Sequence, residues 1–171
     1  MFNIFKKKEN KIEKIYSPFK GNLVNLEDVP DAVFAQKMMG DGVAIIPSEG
    51  KLYSPVDGEI VNVFDTKHAI MIKSNDNTNI LIHVGLETMS LEGKPFDVKV
   101  KAGDKVKAKD LIMEVDLDFI TSNDLNIITP VVIMDDADSV KRTVKDRIEP
   151  GNVDINSIIA KATSFFMYFL E

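Results

Sequence analysis

The stretch YSPFKGNLVNLED, residues 16–28, is echoed 37 positions later by YSPVDGEIVNVFD, residues 53–65. Seven of the thirteen positions are identical, and each copy opens with a Pro/Gly turn that leads into alternating apolar residues. Alternation with a period of two is typical of a β-strand. Two copies are too few for an open solenoid, which needs at least about three repeats. The repeat therefore predicts an intramolecular duplication of a β unit that packs sheet on sheet.

Further strand-like runs follow at short intervals between turn residues, at 42–47, 96–100, 111–115 and 127–133. Many short strands separated by turns are typical of an antiparallel sandwich or barrel. Helical patterns are few, and one or two helical turns are expected at 30–36 and again at 117–123. The predicted fold is therefore all-β, an antiparallel β-sandwich or barrel of the duplicated hybrid motif type with a few short helical turns.

The two ends of the chain differ from its middle, which is expected to form one domain over residues 14–150. Residues 1–13 begin MFNIFKKK and predict a flexible basic tail, which could contact an anionic membrane or stay solvated. Within the divergent segment 151–171, isoleucines at helical spacing behind Asp154 predict a helix. A final strand is the alternative for that segment.

The composition limits the class of protein. The chain has 171 residues, enough for one domain with a substantial core, and no cysteine, which excludes disulfides and thiolate chemistry. Its net charge of −6 disfavours nucleic-acid binding and suits a basic protein partner. The longest apolar run, residues 165–170, is far shorter than the roughly 18 residues of a membrane span. We expect a soluble cytoplasmic protein without a transmembrane segment.

The chain has only two histidines, His68 and His83, and each lies in an apolar, strand-like run. The runs 66–72 and 79–85 flank the turn formers SNDN, residues 74–77, and so predict an antiparallel hairpin. With a four-residue connection the two histidines directly oppose each other, with Cβ atoms about 4.5–5.5 Å apart. A slip of one residue would place them on opposite faces. The alternative is two unrelated histidines, one exposed and one in the core.

Six motifs occur in order along the chain: EDVPDAVFAQK at 27–37, GDG at 40–42, SPVDG at 54–58, TKHA at 66–69, LIHVGLET at 81–88 and TPVVI at 129–133. Together they resemble the glucose-type enzyme IIA proteins of the bacterial phosphoenolpyruvate-dependent sugar phosphotransferase system. The resemblance covers about residues 15–150 and implies that 14–150 is an enzyme IIA type 1 domain. The implied fold, an antiparallel β-sandwich of duplicated, interlocking motifs, agrees with the repeat.

The resemblance implies a cytoplasmic phosphocarrier of sugar transport. His83 would accept a phosphoryl group from the phosphorylated histidine protein HPr and pass it to the cysteine of a IIB sugar-permease domain. His68 would stabilise the phosphoryl group, and Thr66 would orient His68. This chemistry requires no cofactor, although His68 and His83 could bind a zinc ion shared with a partner protein.

The resemblance also implies a docking patch around the histidines, apolar at its centre and acidic at its rim. The residues of this docking patch are Asp31, Ala32, Val33, Phe34, Val43, Phe64, Glu87, Met89 and Asp138. For Phe64, ordinary core packing is the alternative. A second function is left open, that of a non-catalytic regulatory binding protein that uses the same patch, and phosphorylation of His83 distinguishes the two.

Overall fold

The computed structural model describes residues 10–134, 143–145 and 149–165. The β-strands are β1 Asn10–Tyr16, β2 Gly21–Asn25, β3 Gly40–Pro47, β4 Lys51–Tyr53, β5 Gly58–Val63, β6 Ala69–Ser74, β7 Asn79–His83, β8 Phe96–Val98, β9 Lys105–Val106, β10 Leu111–Val115, β11 Thr129–Met134, β12 Thr143–Lys145, β13 Gly151–Val153 and β14 Ile158–Phe165. The helices are α1 Ala32–Ala35 and α2 Leu117–Ser122, and 3₁₀ turns lie at Leu26–Asp28 and Thr88–Leu91.

Within the described residues, the strands form three antiparallel sheets. The largest has eight strands in the order β13-β2-β3-β11-β7-β6-β5-β9. A second sheet has the order β1-β14-β12, and a third has the order β4-β10-β8. Every paired neighbour in these sheets runs antiparallel. The predicted all-β antiparallel class is therefore confirmed, and α1 and α2 lie where the short helical turns were expected.

The sequence repeat corresponds to a repeated turn. In the first copy the buried hydroxyl of Ser17 donates to the carbonyl of Phe19 at 2.6 Å, and in the second the buried hydroxyl of Ser54 donates to that of Val56 at 2.7 Å. Each turn leads into an equivalent strand, β2 or β5, which pairs with the strand β3 or β6. The same serine thus closes the same turn in both copies, which confirms the duplicated β unit.

The eight-stranded sheet is apolar on both faces. In β7, Ile80 and Ile82 belong to the main core, whereas Leu81 belongs to a second, smaller cluster on the other face. That second cluster consists of Leu26, Val29, Phe34, Ala44, Ala69, Leu81, Leu86, Ile128 and Val132. Because Phe34 comes from α1 and Ala69 opens β6, this cluster supports the end of the hairpin that carries the histidines.

The predicted C-terminal helix is wrong, and the alternative of a final strand is confirmed. Residues Ile158–Phe165 form β14, which pairs along its length with β1. Ile159, Ala160 and Ala162 are buried in the main core. Their spacing fits a helix as well as a strand buried on both faces, and the long-range pairing with β1 selects the strand.

The N-terminal boundary is also corrected. Strand β1 begins at Asn10, so residues 10–13 of the predicted flexible tail are paired with β14. Residues 1–9, which include the lysine cluster, lie outside the described residues, as do 166–171. Among the helices of the described residues, none is long and apolar enough to span a membrane.

Candidate functional site

The hairpin that carries the histidines forms, but its register differs by one residue from the predicted one. His83 pairs with Ala69, and Lys73 pairs with Asn79. The connection has three residues because the N–H of Ser74 bonds to the carbonyl of Thr78 at 2.8 Å. Within it, Asn77 has φ 63°, the left-handed residue that three-residue hairpin loops require. The predicted direct opposition of His68 and His83 is therefore wrong.

The two imidazole rings nevertheless lie in contact. Their centroids are 4.9 Å apart with an interplanar angle of 73°. His83 is the last residue of β7 and His68 precedes β6, so His68 lies just outside the regular ladder and the strict alternation of faces does not apply to it. Lys67, with φ 59°, turns the chain immediately before His68. The prediction that the histidines form one pair is confirmed, and the alternative of two unrelated histidines is wrong.

Two phenylalanines extend the pair into a row of four rings. The ring of Phe34 lies 5.1 Å from that of His83, and the ring of Phe64 lies 5.6 Å from that of His68, both edge to face. His68 is 6% exposed, whereas His83 is partly exposed. Phe34 is buried and Phe64 partly buried, so the phenylalanines act as walls that fix the imidazoles and leave His83 accessible.

The tautomer of His83 follows from one hydrogen bond. Its Nδ1 lies 2.7 Å from the carbonyl oxygen of Gly85. A carbonyl oxygen only accepts hydrogen bonds, so Nδ1 carries the proton and donates it. In the neutral ring, Nε2 then holds the lone pair. His83 therefore presents Nε2 as a nucleophile or metal ligand.

The environment of His68 differs, because its partner is a hydroxyl. Thr66 Oγ1 lies 2.6 Å from His68 Nδ1, with the left-handed Lys67 between the two residues. A hydroxyl either donates or accepts. When Thr66 donates to Nδ1, the ring proton of His68 lies on Nε2, which makes His68 a hydrogen-bond donor beside the ring of His83.

Both imidazoles resist protonation. Burial first, and the neighbouring His83 second, lower the pKa of His68 from 6.5 to about 4. Burial also lowers the pKa of His83, while its hydrogen bond to the Gly85 carbonyl and the charge of Asp31 oppose that shift. Both rings are therefore neutral near pH 7, the state in which a ring nitrogen can attack an electrophile.

We expect the low pKa of His68 to make the fold less stable in mild acid. In the unfolded chain His68 takes up a proton as the pH falls through 6.5, but in the folded chain it does so only near pH 4. The free energy of unfolding should therefore fall between pH 6.5 and 4, by up to about 3 kcal/mol from this residue. Urea unfolding across this range, compared with His68→Gln, measures the contribution. Equal slopes in the two proteins, or an NMR titration of His68 near pH 6.5, would contradict it.

The predicted docking patch is brought together only in part. Asp31 caps α1 through a 2.9 Å bond to the N–H of Val33. Ala32, Glu87 and Met89 are exposed, Met89 to 59% and Val33 to 41%. Val43 is wrong as a patch residue, because it is 2% exposed and packs in the main core on the other sheet face. Asp138 lies outside the described residues.

Sequence reasoning did not identify two features of this region. Met38, shortly after α1, is 68% exposed. Its N–H bonds to the carbonyl of Val33, so it adds apolar surface next to the exposed Val33. The carbonyl of Gly85 sets the His83 tautomer, and Gly85 has φ 71°. Gly85 itself is the only signal of this feature in the sequence, since a glycine readily adopts such a left-handed turn.

Within the part of the chain that the structure describes, the histidine pair lacks the further ligands of a complete metal centre. Among the described residues, no group of three or more histidine, cysteine, aspartate or glutamate side chains could hold a metal ion. Structural zinc sites use four ligands, and catalytic sites use three plus a water or substrate. His68 and His83 could supply two of these, with the remainder from a partner, and that zinc site stays a prediction.

Comparison with known proteins identifies relatives of this chain. Residues 13–139 match the model of the family "phosphoenolpyruvate-dependent sugar phosphotransferase system, EIIA 1". A PTS system glucose-specific EIIA component of Bacillus cereus is 49% identical over 151 residues, which cover 87% of this chain and 92% of that protein. A PTS system glucose-specific EIICBA component of Staphylococcus carnosus is 49% identical over 119 residues, which are 70% of this chain but 18% of that protein.

A solved structure extends the comparison to three dimensions. The glucose permease IIA from Mycoplasma capricolum matches with a TM-score of 0.81 and 33% identity, covering 89% of this chain and 96% of that one. A likeness of this extent shows that the two chains share their fold. Sequence, family model and fold thus agree, and the chain belongs to the EIIA 1 family of the phosphoenolpyruvate-dependent sugar phosphotransferase system.

Proposed function

We propose that this phosphotransferase-system component carries its phosphoryl group on Nε2 of His83. The group comes from phosphorylated HPr and passes to the cysteine of a IIB domain of a sugar permease. The observation that carries the proposal is the hydrogen bond from His83 Nδ1 to the Gly85 carbonyl, at 2.7 Å. It leaves the Nε2 lone pair of a neutral imidazole next to the ring of His68, and a neutral ring nitrogen is the nucleophile that phosphoryl transfer needs.

The transfer step moves the phosphoryl group from the imidazole of the donor to the imidazole of His83. The Nε2 lone pair of His83 forms a bond to phosphorus as the phosphorus–nitrogen bond in the donor breaks, in line and through a loose transition state. The attacking ring of His83 gains positive charge, which is stabilised by the hydrogen bond from its Nδ1–H to the Gly85 carbonyl and offset by the charge of Asp31. The Nε2–H of His68, held by Thr66, donates to a phosphoryl oxygen. Positioning and charge stabilisation therefore supply the catalysis, and no cofactor takes part.

The docking patch, without Val43 and with Met38 added, receives both partners in turn. Its centre is the exposed apolar surface of Ala32, Val33, Met38 and Met89. The acidic side chains of Asp31 and Glu87 border it and would speed the encounter with a basic partner more than they would strengthen the complex. Asp138 remains a predicted member of the rim. An apolar centre with an acidic rim therefore suits a carrier, which must bind each partner quickly and then release it.

The names of the relatives guide the choice of sugar and acceptor. The Bacillus cereus relative is named a glucose-specific EIIA component, and the Staphylococcus carnosus relative an EIICBA component. A name that joins B and A components in one chain supports a B component as the acceptor. We therefore propose a glucose-type permease, reached from the cytoplasm.

The deciding experiment is phosphorylation of the wild-type chain by phosphoenolpyruvate, enzyme I and HPr, followed by intact mass measurement. We expect one added phosphoryl group that is lost in acid, and ¹⁵N NMR should place it on Nε2 of His83. Omission of HPr is the control and should prevent the mass increase. If competent donors leave the chain unmodified, the phosphocarrier proposal fails, and the regulatory binding function takes its place.

A further inference from the structure

The carbonyl of Gly85, which fixes the tautomer of His83, belongs to a peptide segment held from several sides. The N–H of Leu86 donates to the backbone carbonyl of Asn126 at 2.9 Å. The hydroxyl of Thr88 donates to the carbonyl of Val84. The N–H of Gly85 donates to the hydroxyl of Thr129 at 3.4 Å, a long bond at a fully buried side chain. The turn after β7 is therefore anchored on the loop that precedes β11.

Strand pairing explains why a side chain takes this role. Strands β7 and β11 pair from Ile80 up to Ile82, which lies opposite Val131. Because the strands are antiparallel, the ladder would continue in β11 at the preceding residue, Pro130, which has no N–H to donate. One position further, the hydroxyl of Thr129 accepts the N–H of Gly85 in place of a backbone group. The motif TPVVI thus ends the sheet ladder and supplies a side-chain acceptor at the same point.

The acceptor itself is rigid. The hydroxyl of Thr129 donates its own proton to the carbonyl of Ile127 at 3.0 Å, so its lone pairs face Gly85. The side-chain oxygen of Asn126 accepts the N–H of Ile128 at 2.8 Å and closes the same loop. A side chain on Gly85 would not be tolerated, since an added Cβ would lie 2.6 Å from Thr88 Cγ2 and 2.8 Å from the Asn126 carbonyl oxygen.

We propose that Thr129 is a positioning residue for His83: its buried hydroxyl holds the N–H of the Val84–Gly85 peptide, and thereby the backbone angles at Gly85 that aim the following carbonyl, that of Gly85, at His83 Nδ1. Without that hydroxyl the N–H of Gly85 is buried and unsatisfied, so the Val84–Gly85 peptide tilts to find another partner. The accompanying change in the dihedral angles at Gly85 moves the Gly85 carbonyl. The Nδ1–H of His83 then loses its aligned acceptor, and the ring populates the tautomer whose proton lies on Nε2. That tautomer has no lone pair at the nitrogen proposed to bind phosphorus.

The test compares Thr129→Val, which keeps the shape of the side chain, with Thr129→Ser, which keeps the hydroxyl. We expect ¹⁵N NMR of Thr129→Val to show a loss of the Nδ1–H tautomer of His83, and the rate of phosphoryl acceptance from HPr to fall at least about tenfold. Thr129→Ser should restore both. The tautomer measurement needs no phosphoryl transfer, whereas the rate rests on the proposed function, so failure of the carrier proposal and failure of this inference are distinguishable.

A matched control separates positioning from stability. Thr78 is also fully buried, and it lies at the turn of the histidine hairpin, at the end far from the histidines. Thr78→Val should lower the melting temperature but leave the His83 tautomer unchanged. A wild-type tautomer and rate in a folded Thr129→Val would overturn the inference and leave Thr129 structural. If that variant does not fold, hydrogen exchange in the wild type decides, because rapid exchange of the Gly85 amide would likewise overturn it.

Discussion

A His83→Gln variant is expected to gain no phosphoryl group from phosphorylated HPr under conditions in which the wild type is fully phosphorylated. An amide nitrogen has no lone pair available for attack, since that pair is delocalised into the carbonyl group. The initial rate should therefore fall by more than about a thousandfold. Glutamine is similar in length to histidine and its N–H can still donate toward the Gly85 carbonyl, so the fold should be kept. Quench-flow or timed sampling with intact mass measurement gives the rate.

The control for His83→Gln is thermal unfolding, which should show a cooperative transition close to that of the wild type. His83 is partly exposed at the end of β7, where a change of side chain costs little packing. An acid-labile phosphoryl group on this variant would place the acceptor on another residue. Since His68 is the only other histidine in the chain, mass mapping of that group would identify it directly.

The sequence predicted those parts of the fold that local chemistry determines. The Ser-Pro turns at Ser17 and Ser54 close through bonds between residues two apart, so their repetition was visible in the residues alone. The C-terminal segment was predicted as a helix because isoleucine spacing there fits a helix and a strand alike. Only the distant partner β1 decides between them, and no local pattern encodes a partner about 150 residues away.

The sequence predicted which residues form the site more accurately than it predicted their geometry. The loop SNDNT contains turn formers at every position, and nothing in it distinguishes a three-residue from a four-residue connection; the left-handed Asn77 selects three. The family resemblance placed Val43 on the patch. The run GVAII could not correct this, because it is apolar throughout and conceals the face that each residue takes in a sheet buried on both sides. The role of the Gly85 carbonyl was not predicted because every residue has a backbone carbonyl, and the sequence does not show which one faces a histidine.

A His68→Ala variant is expected to become phosphorylated on His83 but to pass the group on about a hundredfold more slowly. The nucleophile, its tautomer and its bond to Gly85 are untouched by the change, so the end point of acceptance should still be one phosphoryl group. In the proposed mechanism the lost element is the N–H donor of His68, which its bond to Thr66 would orient toward the phosphoryl oxygens, and removal of one such donor costs about 10²–10³ in rate. Chase of the phosphorylated chain with a IIB domain measures the onward rate.

His68→Gln distinguishes the lost donor from the lost volume. Alanine removes both the imidazole N–H and the ring that packs against Phe64, whereas glutamine returns an N–H donor of similar reach on a flexible side chain. If donation to phosphoryl oxygens is the role of His68, the onward rate of His68→Gln should lie between those of His68→Ala and the wild type. Most of its remaining deficit relative to the wild type would then reflect the loss of the ring orientation that Thr66 provides. Onward rates equally low in both variants would instead assign His68 to packing, and wild-type rates in His68→Ala would remove it from the transfer step altogether.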